Sequence, residues 1–530
     1  MDLSGILRDA RIDELPTHLG ISTRAGAESL RRGFNGWTTN TAYLKERGAR
    51  FQTMRTILKN LDTTDAETLT NSWNTISEYE NIVEELRDPP SDFEEESYGQ
   101  LLFMSEHTKF MNNIPKLLAI WCFVKSYILP LVSLSVPLIA FFGPFIVVKY
   151  IMHSPITFSE YMGVAQKMYL GGTIFGGEAA AQDLGGRMRS IMQTAWGGVT
   201  LVQSLYQPIQ TALHIQRLDH TLMEKGGRLR AFVRACSNLR NLFERHGIRV
   251  PRLPVPAEIH DDERRLVAFF LDNRAVATLL LHWIGSWDVA CTLALNNDFV
   301  AVHWLEAARS PVIRIRGTTD ILISRHKRVS MNFDLGRRHA LLTGPNRGGK
   351  STALRSLLRS VLFAHTYGVV IGRSAQMTAF DWIQSCLRLE DLPGQASLFE
   401  REVQFAASSL RRPGRGLVLI DELFHSTNPP DAEAASRLYL GRLWAERQIL
   451  SVISTHVFAL VDDAPQGIQR LCCPATVRDD GGINYKYGLQ EGICRVSSVN
   501  DILRETRLLI RQSIVGGVRQ EDNEETLIPS

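Results

Sequence analysis

The stretch that decides the fold is LLTGPNRGGKST, residues 341–352, which fits the pattern G-x-x-x-x-G-K-[ST]. It lies between an apolar strand-like run and the helical pattern ALRSLLRSVLFAH, and the invariant positions of the pattern fall on Gly344, Gly349, Lys350 and Ser351. Glycines let backbone N–H groups converge on phosphate oxygens, and the N-terminus of the following helix adds its positive dipole end. The stretch therefore predicts a nucleotide site in which Lys350 neutralises the β- and γ-phosphates and Ser351 ligates Mg²⁺.

A second motif, GLVLIDEL, places Asp421 and Glu422 at the end of an apolar strand. An aspartate at that position can hold Mg²⁺ through water, and the adjacent glutamate can orient the water that attacks the γ-phosphate. Two acids after a strand can also cap the next helix, but their combination with a phosphate loop favours the catalytic role. A third apolar run, ILSVISTH, ends in His456, whose imidazole could reach the γ-phosphate; a structural histidine is the alternative.

The sequence around these motifs indicates the fold class. From about residue 310 onward, short β-branched runs alternate with helical patterns. The runs VIRIRG, HALLTG, GVVIG, GLVLID and LSVIST are expected to be strands of a mostly parallel sheet that helices cover on both faces. The fold class is therefore an α/β P-loop domain, preceded by an all-α region that contains one apolar segment.

That apolar segment covers residues 126–148, which are 23 residues without a charge between two lysines. About 20 apolar residues suffice to cross a bilayer core. Transmembrane helices also tolerate prolines, which recur here as Pro130, Pro137 and Pro144. The segment is a candidate membrane span or re-entrant hairpin, and a buried connector in a helical core is the alternative.

Composition excludes several classes of protein. The 530 residues are 44% hydrophobic and 22% charged, which does not fit a disordered, collagen-like or disulfide-stapled chain. A net charge of +3 does not indicate nucleic-acid binding by bulk charge, so any basic groove would have to be local. The seven cysteines are scattered without metal-ligand spacing and are expected to be reduced thiols. No signal-peptide pattern opens the sequence.

The motifs GPNRGGKST, DELFHSTNPPD and STH resemble the ATPase domain of the MutS family, known for DNA mismatch repair. The resemblance is dense over about residues 315–465 and makes the fold an ABC/MutS-like ATPase domain. It also aligns Thr427 and Asp431 with the D-loop of the family, which implies a catalytic role for Asp431. Further residues that it adds to the nucleotide site are Pro345, Asn346, Gly348 and Thr352.

A signature loop of the same family resembles the stretch EDLPGQASLFEREV. In that family the signature serine reaches across a dimer to the nucleotide of the partner, which implies that Ser397 acts in trans. The resemblance thus implies a homodimer of ATPase domains, ATP and Mg²⁺ as cofactors, and DNA as a partner. The matching loop positions are Asp391, Leu392, Ser397, Phe399 and Glu402. The implied catalytic residues are Glu422, Lys350, His456, Ser397 and Asp431, and the implied metal ligands are Ser351 and Asp421.

The sequence departs from the family pattern at several points. A resemblance to the helical core of the family begins within about 30 residues of Met1, which leaves no room for a separate mismatch-reading domain. Gly394-Gln395-Ala396 stand where the signature loop usually shows Ser-Gly-Arg, and Ser426 replaces a glycine of the D-loop. Together with the apolar segment, these departures indicate a shortened, membrane-associated branch of the family.

Five regions are expected along the chain. Residues 1–115 form a helical core-like region, 116–152 an apolar membrane segment or buried hairpin, and 153–305 a helical connector and lever. Residues 306–500 form the P-loop ATPase domain, and 501–530 a C-terminal helix with a polar tail. The expected location is intracellular and membrane-associated, with a soluble cytoplasmic or nuclear protein as the alternative.

Two functions remain open from the sequence. The first is a MutS-like, ATP-hydrolysing dimeric switch that binds mismatched or branched DNA in mismatch repair. The second is a membrane-tethered ATPase that remodels or assembles a protein partner and reads no mismatch. No feature of the sequence names a downstream protein partner.

Overall fold

The computed structural model describes residues 3–88, 98–103, 105–169, 184–336, 339–387, 397–479 and 482–506. Its α-helices are α1 (Ser4–Asp9), α2 (Leu15–Leu19), α3 (Arg24–Gly33), α4 (Thr41–Lys59), α5 (Thr63–Arg87), α6 (Pro115–Phe123), α7 (Leu129–Ile146), α8 (Phe158–Tyr169), α9 (Leu184–Arg245), α10 (Glu263–Asp272), α11 (Arg274–Leu295), α12 (Lys350–Tyr367), α13 (Leu398–Ser409), α14 (Pro429–Ala445), α15 (Phe458–Asp462) and α16 (Val499–Glu505).

The β-strands are β1 (Phe299–Ala301), β2 (His303–Trp304), β3 (Ile313–Thr318), β4 (Met331–Leu335), β5 (His339–Thr343), β6 (Val369–Ile371), β7 (Ser374–Met377), β8 (Trp382–Cys386), β9 (Gly416–Ile420), β10 (Ile449–Ser454), β11 (Gln469–Cys472), β12 (Ala475–Val477), β13 (Ile483–Tyr485) and β14 (Gln490–Glu491). Short 3₁₀-helical turns occupy Ile12–Glu14, Phe34–Gly36, Lys109–Asn113, Ala257–Ile259 and Arg325–Lys327. Two π-helical turns occupy Val124–Ile128 and Val147–Ile151.

The chain forms two compact units. Unit 1 joins Met1–Glu67 to Ile284–Ser530, and unit 2 is Thr68–Trp283. The sequence-based division placed residues 1–115 in a helical region of their own. In the structure, the residues up to Glu67 belong to the same unit as the phosphate loop.

Unit 1 is built on a six-stranded sheet with the strand order β14-β11-β5-β10-β9-β8. The strands from β11 to β8 are parallel, and β14 is antiparallel to β11. All residues of β5, β9 and β10 are buried, as expected for strands that are covered on both faces. Successive side chains enter two separate cores, because Leu342 packs in the cluster that contains α12 and Leu341 in the cluster that contains α14.

The five expected strands all form, but two of them lie outside this sheet. GVVIG gives β6, which pairs antiparallel with β1, and VIRIRG gives β3, in a four-stranded sheet of order β2-β7-β3-β4. The expectation of one mostly parallel sheet is therefore wrong for these two strands. Arg314 and Arg316 alternate with buried residues along β3, a pattern typical of an antiparallel sheet with one solvent face.

The expected helical connector, residues 153–305, is not helical throughout. Asn273 separates α10 from α11, and its side-chain amide donates to the carbonyl oxygen of Phe269 (3.0 Å). The strands β1 and β2 then follow α11. The Phe299 ring of β1 packs edge-on against the Phe363 ring at 5.0 Å, so tertiary packing overrides the helical pattern at this point.

The first helices of unit 1 pack on α12, the helix that follows the phosphate loop. Ile6, Leu30 and Phe34 belong to the same buried cluster as Leu357 and Phe363 of α12. The rings of Phe34 and Phe363 meet edge-on at 5.0 Å. The N-terminal residues are therefore part of the hydrophobic core of the P-loop domain.

Unit 2 is formed by helices in its described residues. α9 is 62 residues long and packs on α7 and α10. The helices α6 and α7 and the two π-helical turns make one uninterrupted helical run over residues 115–151. Pro137 and Pro144 lie inside α7 without breaking it, so the run contains no hairpin turn.

Two helical stretches of the described residues are long and apolar enough to cross a membrane. In Lys116–Ala140, 22% of the most apolar window is buried, whereas the figure for Arg274–Leu295 is 56%. A core helix of a soluble protein can pass the same test of length and composition. Arg274–Leu295 is buried to the extent expected of such a core helix, whereas Lys116–Ala140 is mostly exposed.

Candidate nucleotide-binding and hydrolysis site

The loop between β5 and α12 has a backbone that requires its glycines. Gly344 has a φ of +148°, and a Cβ atom there would lie 2.9 Å from the carbonyl oxygen of Cys473. A Cβ atom at Gly348 would lie 2.8 Å from the carbonyl oxygen of Pro345. Gly349 precedes α12 in a left-handed conformation with φ +102°. The loop thus wraps the N-terminus of a buried helix, an arrangement that binds phosphate.

A cavity of about 690 Å³ lies over this loop. Its size falls within the range of small-molecule sites. Glu422 reaches it from the end of β9, and Gly344 immediately precedes the loop residues that line it. The predicted nucleotide-binding residues that line it are Pro345, Asn346, Gly348, Gly349, Lys350, Ser351 and Thr352.

Part of the cavity wall comes from residues that the sequence did not identify. Most of them lie between β3 and β4. Met331 is in β4, Arg347 is in the phosphate loop, and Tyr487 follows β13. Apart from Arg347, which belongs to the phosphate loop itself, these residues reach the cavity through the chain topology, and no periodic pattern or motif marks them. These residues are Asp320, Ile323, Lys327, Val329, Met331, Arg347 and Tyr487.

Lys350 is 5% exposed, and its ammonium group donates to the carbonyl oxygens of Gly344 (3.0 Å) and Pro345 (3.2 Å). Burial lowers the pKa of Lys350, while the negative charges of Glu422 and Asp421 oppose that shift. Hydrogen bonds to anionic oxygens are stronger than those to neutral carbonyl groups. A phosphate group in the cavity would therefore compete successfully for this ammonium group.

His456 connects the lysine to the candidate catalytic acid. Its Nε2 atom lies 3.1 Å from Lys350 Nζ and 3.2 Å from Glu422 Oε1. A neutral imidazole satisfies one of these contacts at a time: it accepts from Lys350 when its proton is on Nδ1, and it donates to Glu422 when its proton is on Nε2. The hydrogen bond from His456 lowers the pKa of Glu422, against the effect of burial. Glu422 is therefore an ionised carboxylate at neutral pH.

One hydroxyl group positions both acids of the DE pair. The Ser454 hydroxyl at the end of β10 donates to Asp421 Oδ1 (2.6 Å) and accepts from the backbone N–H of Glu422 (2.8 Å). The backbone N–H of Asp421 donates to the Cys386 carbonyl oxygen (3.0 Å) on the neighbouring strand. Ser454 lies in the ILSVISTH run, but no feature of that run marks its hydroxyl as a ligand of the two acids.

The oxygen ligands at the site fit Mg²⁺ bound together with a nucleotide. Within the part of the chain that the structure describes, no group of three or more His, Cys, Asp or Glu side chains is placed to hold a metal. Mg²⁺ usually binds through one or two carboxylates, water and substrate phosphates rather than in an all-protein cage. Ser351 supplies a hydroxyl at the cavity wall, and Asp421 supplies a carboxylate beside Glu422.

Left-handed backbone conformations of non-glycine residues cluster at the cavity. Arg347 (φ +64°), Glu422 (+59°) and Tyr487 (+51°) all line it, and Phe424 (+51°) lies two residues beyond Glu422. Such conformations cost free energy and persist where the surrounding structure enforces them, which is most often at functional sites. The clustering supports the assignment of this cavity as the functional site.

Two predicted residues lie at helix N-termini outside the cavity lining. Ser397 precedes α13, and its exposed hydroxyl accepts from the Glu400 N–H (3.2 Å). Asp431 lies in the first turn of α14, where its carboxylate accepts from the side-chain amide of Asn428 (2.7 Å). Both contacts are local caps, and both residues are exposed.

Glu402 of the signature stretch contacts the loop that follows the DE pair. Glu402 is 5% exposed, accepts a hydrogen bond from the Ser426 hydroxyl (2.6 Å) and pairs with His425 (2.8 Å). Ser426, which replaces the family glycine, therefore holds a buried carboxylate. The Phe399 ring packs 6.0 Å from the Phe424 ring. The other signature positions, Asp391, Leu392 and Gly394-Gln395-Ala396, lie outside the described residues.

Fold and site together define an α/β P-loop nucleotide-binding domain. Residues 340–504 match the family model MutS domain V. The chain is 30% identical over 183 residues to the DNA mismatch repair protein MutS of Thermus thermophilus, a match that covers 34% of this chain and 22% of that relative. The P-loop domain of this chain belongs to the MutS family, as its motifs indicate, and the chain spans less than a quarter of the relative that it matches.

Proposed function

We propose that this protein binds ATP with Mg²⁺ and hydrolyses it as a dimeric switch of the MutS type. The observation that carries the proposal is the series of contacts from Lys350 through His456 to Glu422 at the wall of the phosphate-loop cavity, with separations of 3.1 and 3.2 Å. A buried cation and a carboxylate that can orient water are groups that phosphoryl transfer to water uses at one place, and the imidazole of His456 joins the two.

Each of these side chains has a definite role in the proposed reaction. Lys350 stabilises the negative charge that develops on the transferred phosphoryl group, and burial strengthens this effect. Glu422 accepts a hydrogen bond from the attacking water and orients it, and His456 bridges between this water and the γ-phosphate. Mg²⁺, held by Ser351 and Asp421 when it is bound, would neutralise further charge on the phosphate oxygens.

The exposure of the predicted trans-acting residues supports a dimer of P-loop domains. Ser397 and Asp431 are exposed and do not line the cavity of their own chain. A residue that serves the nucleotide of a partner has to be accessible on the surface. We therefore propose that two copies of the domain meet so that each Ser397 faces the nucleotide of the other copy.

The variant Glu422→Gln tests the hydrolysis step. Glutamine keeps the size of the side chain but removes the negative charge that orients water, so turnover is expected to fall by about 10²- to 10⁴-fold. ATP binding should persist, and the ATP-bound dimer should accumulate in light-scattering measurements. Glu446→Gln, an exposed site at the end of α14, is the matched control and should leave turnover unchanged. Undiminished turnover in Glu422→Gln would contradict the assignment of Glu422 as the residue that orients the attacking water.

DNA is the proposed partner of this switch, and a basic groove in unit 1 makes that proposal testable. The groove has a volume of about 810 Å³ and is lined by Arg314, Arg316 and Arg373, with one acid, Asp334. Basic side chains on a groove attract nucleic-acid phosphates, and each lost phosphate contact lowers the salt dependence of binding by about one unit in the log–log slope.

The variant Arg316→Ala/Arg373→Ala should therefore weaken binding to mismatched or branched DNA and reduce its salt slope by about two. Arg442→Ala removes an exposed arginine of α14 outside the groove and is the control. Equal affinity of the unmodified protein for mismatched, branched and plain duplex DNA would contradict a role in mismatch recognition.

The exposed apolar helix favours a second function, that of a membrane-tethered ATPase that acts on a protein partner. Only 22% of the most apolar window of Lys116–Ala140 is buried, and large exposed apolar surfaces mark interaction or membrane sites. Fractionation followed by a carbonate wash tests the tether, with a variant lacking residues 117–152 beside the full chain. Retention of the full chain and release of the variant are expected. Release of both would contradict membrane tethering.

A further inference from the structure

The longest run of the sequence without Asp, Glu, Lys or Arg lies in α9, not in α7. It covers residues 190–216, which are 27 residues between Arg189 and Arg217. A helix of that length spans about 40 Å, and the 23 residues of 126–148 span about 34 Å. Both lengths exceed the hydrocarbon core of a bilayer, which is about 30 Å thick. The run in α9 is not one of the two described stretches that are apolar enough to cross alone, because it contains five glutamines, so a crossing by α9 depends on its pairing with α7.

The run in α9 presents an exposed apolar stripe. Its exposed apolar residues recur every three or four positions and therefore share one face of the helix. They are between 42% and 76% exposed. The stripe consists of Met192, Trp196, Val199, Val202, Tyr206, Ile209 and Leu213.

The two charge-free runs lie side by side in opposite directions. α9 packs on α7 and on the π-helical turn Val124–Ile128 that precedes it. Beyond the C-terminal end of its run, Asp219 of α9 accepts from Arg264 (2.8 Å), and the same guanidinium contacts the Cys122 thiol just before the run in α7. The end of the α9 run is therefore beside the start of the α7 run, so the two helices are antiparallel.

The packing of unit 1 determines how often the chain can cross a membrane. Residues 3–67, before the two runs, and the P-loop domain after them share one hydrophobic core. Arg359 of α12 also donates to the carbonyl oxygen of Ala10 (2.8 Å). Segments that share a core lie on the same side of a membrane. The number of crossings between them is therefore even, and a single span is excluded if α7 crosses at all.

Other segments do not provide the second crossing. α8 is 12 residues long and contains Glu160, and residues 170–183 contain Glu178 and Asp183. α11 is more than half buried, and a Cβ atom at its Gly285 would lie 2.3 Å from the carbonyl oxygen of Ala25, so this helix packs against protein.

We propose that residues 126–148 and 190–216 cross the membrane as an antiparallel helical pair. This proposal rests on the proposed membrane tethering and extends it to a defined topology. Residues 3–67 and the P-loop domain lie on one side of the membrane with the nucleotide site, and residues 152–169 lie on the other side.

The ends of the first helix have the features of membrane interfaces. The Lys125 ammonium lies 4.9 Å above the Trp121 ring, and the Lys149 ammonium lies 5.2 Å from the Phe145 ring and 5.7 Å from the Tyr150 ring. Lysines that snorkel toward water and aromatic rings at the same level mark the boundaries of spanning helices. The glutamines of the α9 run carry no charge, and such side chains hydrogen-bond to neighbouring helices within membranes.

Epitope tags at three positions of the full chain test this topology in sealed membrane vesicles. The tags are placed at the N-terminus, between residues 153 and 157, and at the C-terminus. The proposal expects the two terminal tags on one side and the middle tag on the other. Terminal tags on opposite sides would overturn it, and so would three tags on one side of a chain that resists a carbonate wash. Release of the chain by carbonate would instead refute the membrane tethering itself.

A pair of arginine variants tests the role of α9 directly. Val202 (66% exposed) lies in the apolar stripe, and Leu438 (65% exposed) lies on α14 of the P-loop domain. Both substitutions to arginine remove an exposed apolar side chain, but only Val202→Arg places a charge in the proposed lipid-facing stripe. Val202→Arg should lower the carbonate-resistant fraction, and Leu438→Arg should leave it unchanged. Equal retention of both variants would overturn the crossing by α9.

Discussion

His365 of α12 makes the stability of the P-loop domain depend on pH. Its ring is stacked on Trp37, with ring centroids 3.9 Å apart, and its Nδ1 atom lies 2.9 Å from the carbonyl oxygen of Thr38. Its Nε2 atom accepts from the backbone N–H of Phe380 (3.2 Å). The neutral ring with its proton on Nδ1 satisfies both contacts, whereas a proton on Nε2 would face another donor. Burial accordingly lowers the pKa of His365 to about 4.

The magnitude follows from the difference between the folded and unfolded pKa values. In the unfolded chain the imidazole takes up a proton near its ordinary pKa of 6.5, and in the folded chain only near 4. The folded state is therefore stabilised fully above pH 6.5 and loses that stability as the pH falls through 6.5 toward 4. The loss at pH 5 is about 2 kcal/mol, and it approaches about 3.4 kcal/mol at lower pH.

Urea unfolding at pH 7.5 and pH 5, followed by hydrogen exchange of α12 peptides in mild detergent, measures this loss. The comparison is between the unmodified protein and His365→Gln, which removes the titrating group. The variant should be less stable at pH 7.5, because it loses the stacking on Trp37. Its stability deficit should then shrink by about 2 kcal/mol at pH 5.

Trp37→Phe is the control, because it changes the packing of the same ring but keeps the titrating group. Its difference in stability from the unmodified protein should be the same at both pH values. The reasoning is refuted if the deficit of His365→Gln is equal at pH 7.5 and pH 5, since the imidazole would then not be held neutral by the fold.

Three further predictions concern the phosphate loop and its supports. Arg359→Met leaves Asp320 buried without its partner and should cost about 3–5 kcal/mol in the free energy of unfolding; a change below about 1 kcal/mol in thermal unfolding would contradict this. Gly349→Ala forces a side chain into the left-handed region and should lower the free energy of unfolding by about 1–3 kcal/mol. The same variant should bind ATP more weakly in calorimetry, and an unchanged affinity would contradict this prediction. Glu402→Gln weakens the hydrogen bond from Ser426 and should cost about 1.5–3 kcal/mol with slower ATP turnover; full turnover and stability would show that this contact is dispensable.

The phosphate loop and the three strands beside it could be predicted because their signals are local. Gly344 and Gly349 have positive φ angles that the glycine pattern anticipates, and the strands of the central sheet are continuous apolar runs. The meeting of Glu422 and His456 was also predictable, since adjacent parallel strands end at the same edge of a sheet. These features depend on a few consecutive residues and one rule of topology.

The remaining features depend on contacts between distant parts of the chain. Asp320 and Tyr487 reach the cavity because β3, β4 and β13 pack near the loop, and no spacing in the sequence encodes that arrangement. The assignment of VIRIRG to the central sheet was wrong because β-branched residues indicate a strand without naming its partners. The run over residues 190–216 lacks charges in the sequence, but its glutamines lower its mean hydropathy, and its exposed stripe and its packing on α7 become visible only in the fold.

The segment that folds with the phosphate loop is larger than the segment that matches the family model. Residues 340–504 match, yet Arg359 and His365 within that range find buried partners at Ala10, Asp320 and Thr38 outside it. A buried polar group that loses its partner costs about 1–3 kcal/mol, and a charged group costs more. The N-terminal helices therefore hold α12 in the position from which its first turn faces the nucleotide. Docking of the N-terminal helices therefore strengthens nucleotide binding if the nucleotide binds only to this arrangement. Because such coupling is reciprocal, nucleotide binding stabilises the docked helices by the same free energy.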